Sequence, residues 1–223
     1  MKSKEKILPE KEDFLKYEEN KKYIYENGDY YIGQWLNGKK HGKGIKYSKN
    51  GSIKYEGDFA NNVYEGNGKY ILENGDYYIG QWLNGKKHGK GIKYYNNGSI
   101  EYEGDFVNGV YEGNGKYIWE CGEYYIGQFL DGKQHRKGIV YYKNGLIKYE
   151  VDIINNKIEG NGKYIWENGE YYIGQFLYCK KHGKGIEYYK NGSIKYEGDF
   201  INGVYEGNGK YIWENGEYYI GQF

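Results

Sequence analysis

Along most of this chain, aromatic residues and glycine take every second position of short runs. In Tyr31-Ile32-Gly33-Gln34-Trp35-Leu36 the alternate positions are Tyr, Gly and Trp. Successive side chains of a strand point to opposite faces, so these three share one side. Asn37-Gly38 follows, and then Lys39-Lys40-His41-Gly42-Lys43-Gly44-Ile45. Asn-Gly between two such runs predicts a type I′ hairpin, because both turn positions need positive φ. A plain two-residue turn sets Trp35 opposite Lys40, Gly33 opposite Gly42 and Tyr31 opposite Gly44. Glycine weakens a strand interior, but a neighbouring ring can lie over the bare backbone. The glycines are expected to make room for the rings.

A second phrase predicts the same element. Tyr55, Gly57 and Phe59 share a face, the turn falls at Asn61-Asn62, and Gly66 and Gly68 return. Phe59 is expected opposite Tyr64, and Asp58 opposite Glu65. Lys49-Asn50-Gly51 and Glu73-Asn74-Gly75 carry turn chemistry between hairpins. YIGQW begins at Tyr31 and Tyr78, and YIGQF at Tyr125, Tyr172 and Tyr219, a period of 47 residues. The Tyr-Glu phrase begins at Tyr55, Tyr102, Tyr149 and Tyr196, so the steps alternate between 24 and 23. A fixed short period means stacked identical units without one central core. The predicted fold is all-β, a single-layer, elongated, twisted antiparallel sheet of stacked hairpins over 23–223. Eight complete units fit, giving a sheet of about 75 Å.

Composition supports a thin structure. Hydrophobic residues are 38% and aromatics 20%, so few aliphatic residues remain to fill a globular core. The net charge of +1 provides little long-range attraction to nucleic acid or to anionic membrane. No apolar run approaches the roughly 20 residues of a membrane helix, and the N-terminus carries no apolar signal core. Cys121 and Cys179 each replace a turn residue, about 24 Å apart on opposite rims. That excludes a disulfide and suits a reducing, cytoplasmic compartment.

The polar face alternates in sign. Lys39, His41 and Lys43 mark one hairpin, and Glu56, Asp58 and Glu65 the next. This pattern reads either as a face that neutralises itself or as basic patches about 19 Å apart that meet lipid headgroups. His41, His88, His135 and His182 recur in one slot at that same spacing, too far apart to share a metal ion. Catalysis needs unique residues in a unique geometry, and this chain offers copies; no catalytic residue, metal or cofactor is expected. Gly33 to Lys40 matches a phosphate loop except at its last position, and is followed by a strand instead of a helix. Asn-Gly-Ser at 50–52, 97–99 and 191–193 is turn chemistry before it is a glycosylation signal.

Residues 1–22 stand apart. Pro9 is placed to start a short helix through Phe14, Leu15 and Tyr17, stopped by Asn20, as a cap or a disordered tail. The chain stops mid-strand at Gln222-Phe223, which reads as an unpartnered edge or a cut in a longer array. The third unit is irregular: Arg136 and Val151 replace glycines, Ile153 replaces phenylalanine, and Tyr178-Cys179 later replaces an Asn-Gly turn. Local repacking, and the least regular part of the array, are expected over 136–160.

The pattern Y-x-G-x-W-x-x-G-x-x-H-G-x-G, read from Tyr31 to Gly44, resembles the MORN repeat (membrane occupation and recognition nexus). The resemblance covers about 190 of 223 residues. It departs at Phe129, Phe176, Arg136 and Val151. It implies a single-layer twisted sheet, often dimerising, in proteins that act as scaffolds at membranes and cytoskeletal structures. Other family members include regulatory parts of phosphatidylinositol phosphate kinases, junctional membrane proteins and appendages of a lysine methyltransferase domain. The expected function is a non-enzymatic scaffold for protein partners, including a homodimer through sheet edge or face. The alternatives are a phospholipid-binding membrane module and the regulatory array of such a kinase. The candidate partner face is Tyr31, Trp35, Tyr78, Trp82, Tyr125, Phe129, Tyr172 and Phe176. The candidate lipid-binding or partner-binding band is Lys39, Lys40, His41, Lys43, Lys86, Lys87, His88, Lys90, Lys180, Lys181, His182 and Lys184.

Overall fold

Each strand of this protein pairs antiparallel with the next one in sequence, from first to last, in a computed structural model that describes residues 16–223. The strands are β1 (Tyr17–Ile24), β2 (Tyr30–Leu36), β3 (Lys39–Tyr47), β4 (Ile53–Ala60), β5 (Val63–Ile71) and β6 (Tyr77–Leu83). They continue as β7 (Lys86–Tyr94), β8 (Ile100–Val107), β9 (Val110–Ile118), β10 (Tyr124–Leu130), β11 (Lys133–Tyr141) and β12 (Ile147–Ile154). The series closes with β13 (Lys157–Ile165), β14 (Tyr171–Leu177), β15 (Lys180–Tyr188), β16 (Ile194–Ile201), β17 (Val204–Ile212) and β18 (Tyr218–Gln222). The all-β, single-sheet expectation holds. The N-terminal helix does not hold where it is described: Tyr17 opens β1, and Asn20, at φ 54°, sits in a bulge of that strand. The array therefore begins before residue 23. Residues 1–15, with Pro9, Phe14 and Leu15, lie outside the described residues.

The hairpin turns are as expected, with Asn37 at φ 50° and Gly38 at 75°. The register beyond them needs correction. Trp35 does face Lys40, but Gly33 faces Gly44 and Tyr31 faces Lys46. Two steps on β2 span four on β3, so two extra residues bulge out at Gly42 and Lys43. Gly42 takes φ 67°, a region glycine enters without cost. Lys43 N donates to Gln34 Oε1 at 2.7 Å, which closes the bulge. The acidic hairpin repeats the device with Gly66 at φ 62° and Asn67 N donating to Asp58 Oδ2 at 2.9 Å. A shift of two keeps every side chain on its expected face. Phe59 faces Tyr64, and Asp105 faces Glu112.

Among the described residues one face holds the entire core, with no second layer over it. Gly33, Gly44, Gly57, Gly68 and Gly80 stand side by side across the strands. Tyr31 lies flat on this column: a Cβ added to Gly44 would meet the Tyr31 ring at 2.4 Å. Its Oη donates to Gln34 O at 3.0 Å, so the buried hydroxyl is satisfied. Tyr55, Tyr78, Tyr102, Tyr125, Tyr172 and Tyr196 are likewise 0% exposed. Rings two strands apart then touch edge to face, as Tyr31 and Phe59 do at 5.0 Å, and Tyr55 stacks on Tyr64 at 3.8 Å. Such pairs add about 0.5–1.5 kcal/mol each beyond the area they bury.

The third unit repacks as expected but stays regular, against expectation. Val151 and Ile153 are buried, with Val151 Cγ1 in the place over Gly162 that a tyrosine ring fills elsewhere. Tyr149 moves aside to lie at 4.5 Å from Tyr164, tilted. The strands nonetheless keep their lengths, and Val151 still faces Gly162. Backbone pairing carries the unit, and Arg136 accepts φ 60° to preserve the bulge.

Candidate functional site: the two faces of the sheet

The eight aromatic residues expected to face a partner are the core itself. Tyr31, Tyr78, Tyr125 and Tyr172 are fully buried, and Trp35, Trp82, Phe129 and Phe176 are at most 8% exposed. Their ring faces are taken up by glycine backbone and by one another, and Trp82 Nε1 donates to Gly68 O at 3.2 Å.

The lysines of the basic band separate into three sets once the strands are in place. Lys40, Lys87 and Lys181 turn onto the aromatic side. Lys40 Nζ donates to Tyr25 Oη at 2.8 Å and lies 5.7 Å from the Tyr31 ring. Lys87 lies 5.1 Å from the Tyr78 ring, where burial holds its pKa below the usual lysine value. Lys181 pairs with the buried Glu187. Lys43, Lys90 and Lys184 pair instead with Asp58, Asp105 and Asp199 at 2.6–2.7 Å. Lys39, Lys86 and Lys180 are exposed beside the turns. His41, His88 and His182 are half-buried. Nδ1 of His88 and of His135 is buried without a hydrogen-bond partner. The band is thus divided between the two faces, and Lys43, Lys90, Lys181 and Lys184 are neutralised by carboxylates. Exposed pairs of this kind are worth about 0–1 kcal/mol. Lys90→Ala should therefore lower stability by no more than about 1 kcal/mol in urea melts.

The opposite face carries a row that the sequence pattern did not disclose. Lys22, Ile32, Ile45, Glu56, Lys69, Ile79, Ile92, Glu103, Lys116 and Ile126 stand each directly opposite the next. The order Ile, Ile, Glu, Lys then recurs through Ile139, Glu150, Lys163, Ile173, Ile186, Glu197 and Lys210 to Ile220. The two-residue bulges create this row, since a plain turn would have set Ile32 opposite Lys43. The recurrence of Gln34 and Asp58 at fixed offsets before HGKG and EGNG was the available signal. Lys69 and Lys116 lie 4.5 and 4.3 Å from the rings of Tyr77 and Tyr124. Glu56, Glu103, Glu150 and Glu197 are exposed, and none joins an ion pair among the described residues. Ile79, Ile126 and Ile173 are 43–44% exposed. An open depression of about 800 Å³ lies over Ile92, Glu103 and Lys116, and others recur along the row.

Among the described residues, no group of three His, Cys, Asp or Glu side chains comes together to hold a metal ion. The fold and this periodic surface define a linear β-hairpin array. The MORN repeat pattern matches residues 31–53, 55–77, 78–100, 102–120, 125–147, 152–171, 172–194 and 196–218, and the chain belongs to the MORN repeat family. Two solved structures are similar at low identity. One is virginiamycin B lyase from Staphylococcus aureus, with 12% identity over 93% of this chain and 73% of that one, at a TM-score of 0.19. The other is a streptogramin B lyase, with 14% identity over 93% and 73%, at 0.19. At such scores neither lends this chain a fold or an activity.

Proposed function

We propose that the array is a non-enzymatic scaffold that assembles protein partners, a second copy of itself among them, along the isoleucine, glutamate and lysine row. One observation supports this above all: the row is its own complement. Read forward it runs Ile, Ile, Glu, Lys, and read backward Lys, Glu, Ile, Ile. A second copy turned about a two-fold axis along the strands sets isoleucine on isoleucine and every glutamate on a lysine. The exposed free thiols of Cys121 and Cys179 favour a reducing compartment, so the proposed setting is the cytoplasm, at membrane or cytoskeletal structures. Phospholipid binding is the weaker reading, because the lysines it needs are divided between faces and four of them are paired with carboxylates.

Light scattering at micromolar concentration tests the proposal. The wild-type chain should be dimeric. Glu103→Lys with Glu150→Lys should be monomeric, as should Lys116→Glu with Lys163→Glu, because each turns opposite charges into like ones. Mixed together, the two variants should restore a dimer. A wild-type chain that stays monomeric ends the self-assembly reading, and a mixture that stays monomeric ends the proposed register.

A further inference from the structure

One place on the aromatic side lacks the ammonium group found at the matching place in other units. In the first unit Lys40 Nζ lies 5.3 Å from the Tyr25 ring, and in the fourth Lys181 Nζ lies 5.3 Å from Trp166. One period before Lys181 the residue is Gln134, and one period before Trp166 it is Trp119. A depression of about 410 Å³ opens there, lined by Glu101, Tyr111, Tyr117, Trp119, Phe129 and Gln134. Its rings stand as walls, with Tyr117 and Trp119 at 5.6 Å and 67°, and Tyr111 and Phe129 at 5.9 Å and 75°. Glu101 is also particular to this place, since the matching residues are Lys54, Lys148 and Lys195. Two positive charges that other units carry here are therefore replaced, one by a carboxylate and one by an amide.

We propose that this depression binds a methylated ammonium head group. Ring faces attract such a cation through their quadrupoles, and tryptophan does so most strongly. The polar groups of the wall select methylated over plain ammonium. The buried Glu101 carboxylate already accepts from Lys93 Nζ at 2.9 and 2.7 Å and from Tyr111 Oη at 3.0 Å. Asn156 Oδ1 accepts from Gln134 N at 2.7 Å. A primary ammonium entering here would lose water and find the Glu101 carboxylate and Asn156 Oδ1 engaged. A trimethylammonium head, which donates no hydrogen bond, needs only the rings. The volume lies within the range of small-ligand sites, about 300–1,000 Å³. The site stands apart from the scaffold reading, because the self-complementary row is on the other face.

Calorimetric titration of the full chain with choline and with N-acetyl-trimethyllysine methylamide tests it. Both carry the head group, and whichever binds tighter tells a free or lipid source from a protein side chain. The uncharged analogue 3,3-dimethylbutanol should bind about tenfold more weakly than choline. Gln134→Lys should weaken choline by a similar factor, because the new lysine covers Trp119 as Lys181 covers Trp166. Trp119→Leu should do the same, with Leu72 as its counterpart one unit earlier. Both variants carry residues that the array already accepts at matching places, so their melting curves should stay close to wild type. Equal binding of the uncharged analogue, full affinity in Gln134→Lys, or no heat with either cation would overturn the proposal.

Discussion

Gly104→Val is expected to destabilise the array by about 2–4 kcal/mol, and Phe106→Ile added to it should recover a substantial part of that loss. A Cβ on Gly104 would stand 2.5 Å from Tyr102 Oη and 2.7 Å from Gly115 Cα. The ring would have to leave a site where it is fully buried, stacks on Tyr111 at 3.8 Å and donates to Asp105 O at 3.0 Å. The third unit contains this exchange, as Val151 with Ile153, both buried, together with a third, Ile158 in the place of Tyr111. Replacing the ring beside the displaced tyrosine on the same strand by a smaller aliphatic group gives the valine room. Chemical denaturation of the single and double variants checks this. Additive losses would show that glycine and ring are independent, contrary to the packing of Val151 over Gly162.

Raising the pH should unfold the protein cooperatively once tyrosine begins to ionise. Burial pushes Tyr31, Tyr64, Tyr125 and Tyr149 up from 10.0 to about 12. Tyr111 and Tyr205 rise further, through burial and then the neighbouring carboxylates of Glu101 and Glu187. Below pH 10.0 both folded and unfolded chains hold these protons, and stability does not depend on them. Above it the unfolded chain releases protons that the folded chain retains, so stability falls as pH rises through about 12. A tenfold difference in proton affinity between the two states is worth about 1.4 kcal/mol, against a total of about 5–15 kcal/mol for a typical domain. Tyrosinate absorbance and circular dichroism should change together, at a midpoint well above 10.0. Gradual ionisation near the ordinary tyrosine value with the sheet intact would contradict the burial.

Much of the fold was legible in the residues because local chemistry dictates it. Asn37-Gly38 could only be a tight turn, Tyr31 and Gly33 had to share a face, and Phe59 did meet Tyr64. What escaped was the bulge at Gly42 and Lys43. A glycine in a strand looks the same whether it receives a ring, as Gly44 does, or takes positive φ, as Gly42 does. Two residues of slip leave the faces unchanged, so the hydrophobic pattern could not reveal it. They did move Ile32 from Lys43 to Ile45, and with that the isoleucine, glutamate and lysine row was hidden. The aromatic residues misled for a related reason. Alternation assigns Tyr31 and Trp35 to a face but does not say whether that face is open. The basic band failed because Lys40 and Lys43 lie on opposite faces.

Pairing every strand only with its neighbour in sequence has a kinetic consequence. No contact in the array requires distant segments of chain to meet, so closing entropy stays small at every step. Folding can begin at any hairpin and spread as a zipper, and unfolding can run inward from an end or stall at a unit boundary. Deleting one 47-residue period should therefore shorten the molecule without changing how its remaining hairpins form. The chain behaves as a ruler whose length can change by whole periods while the spacing of its marks stays fixed.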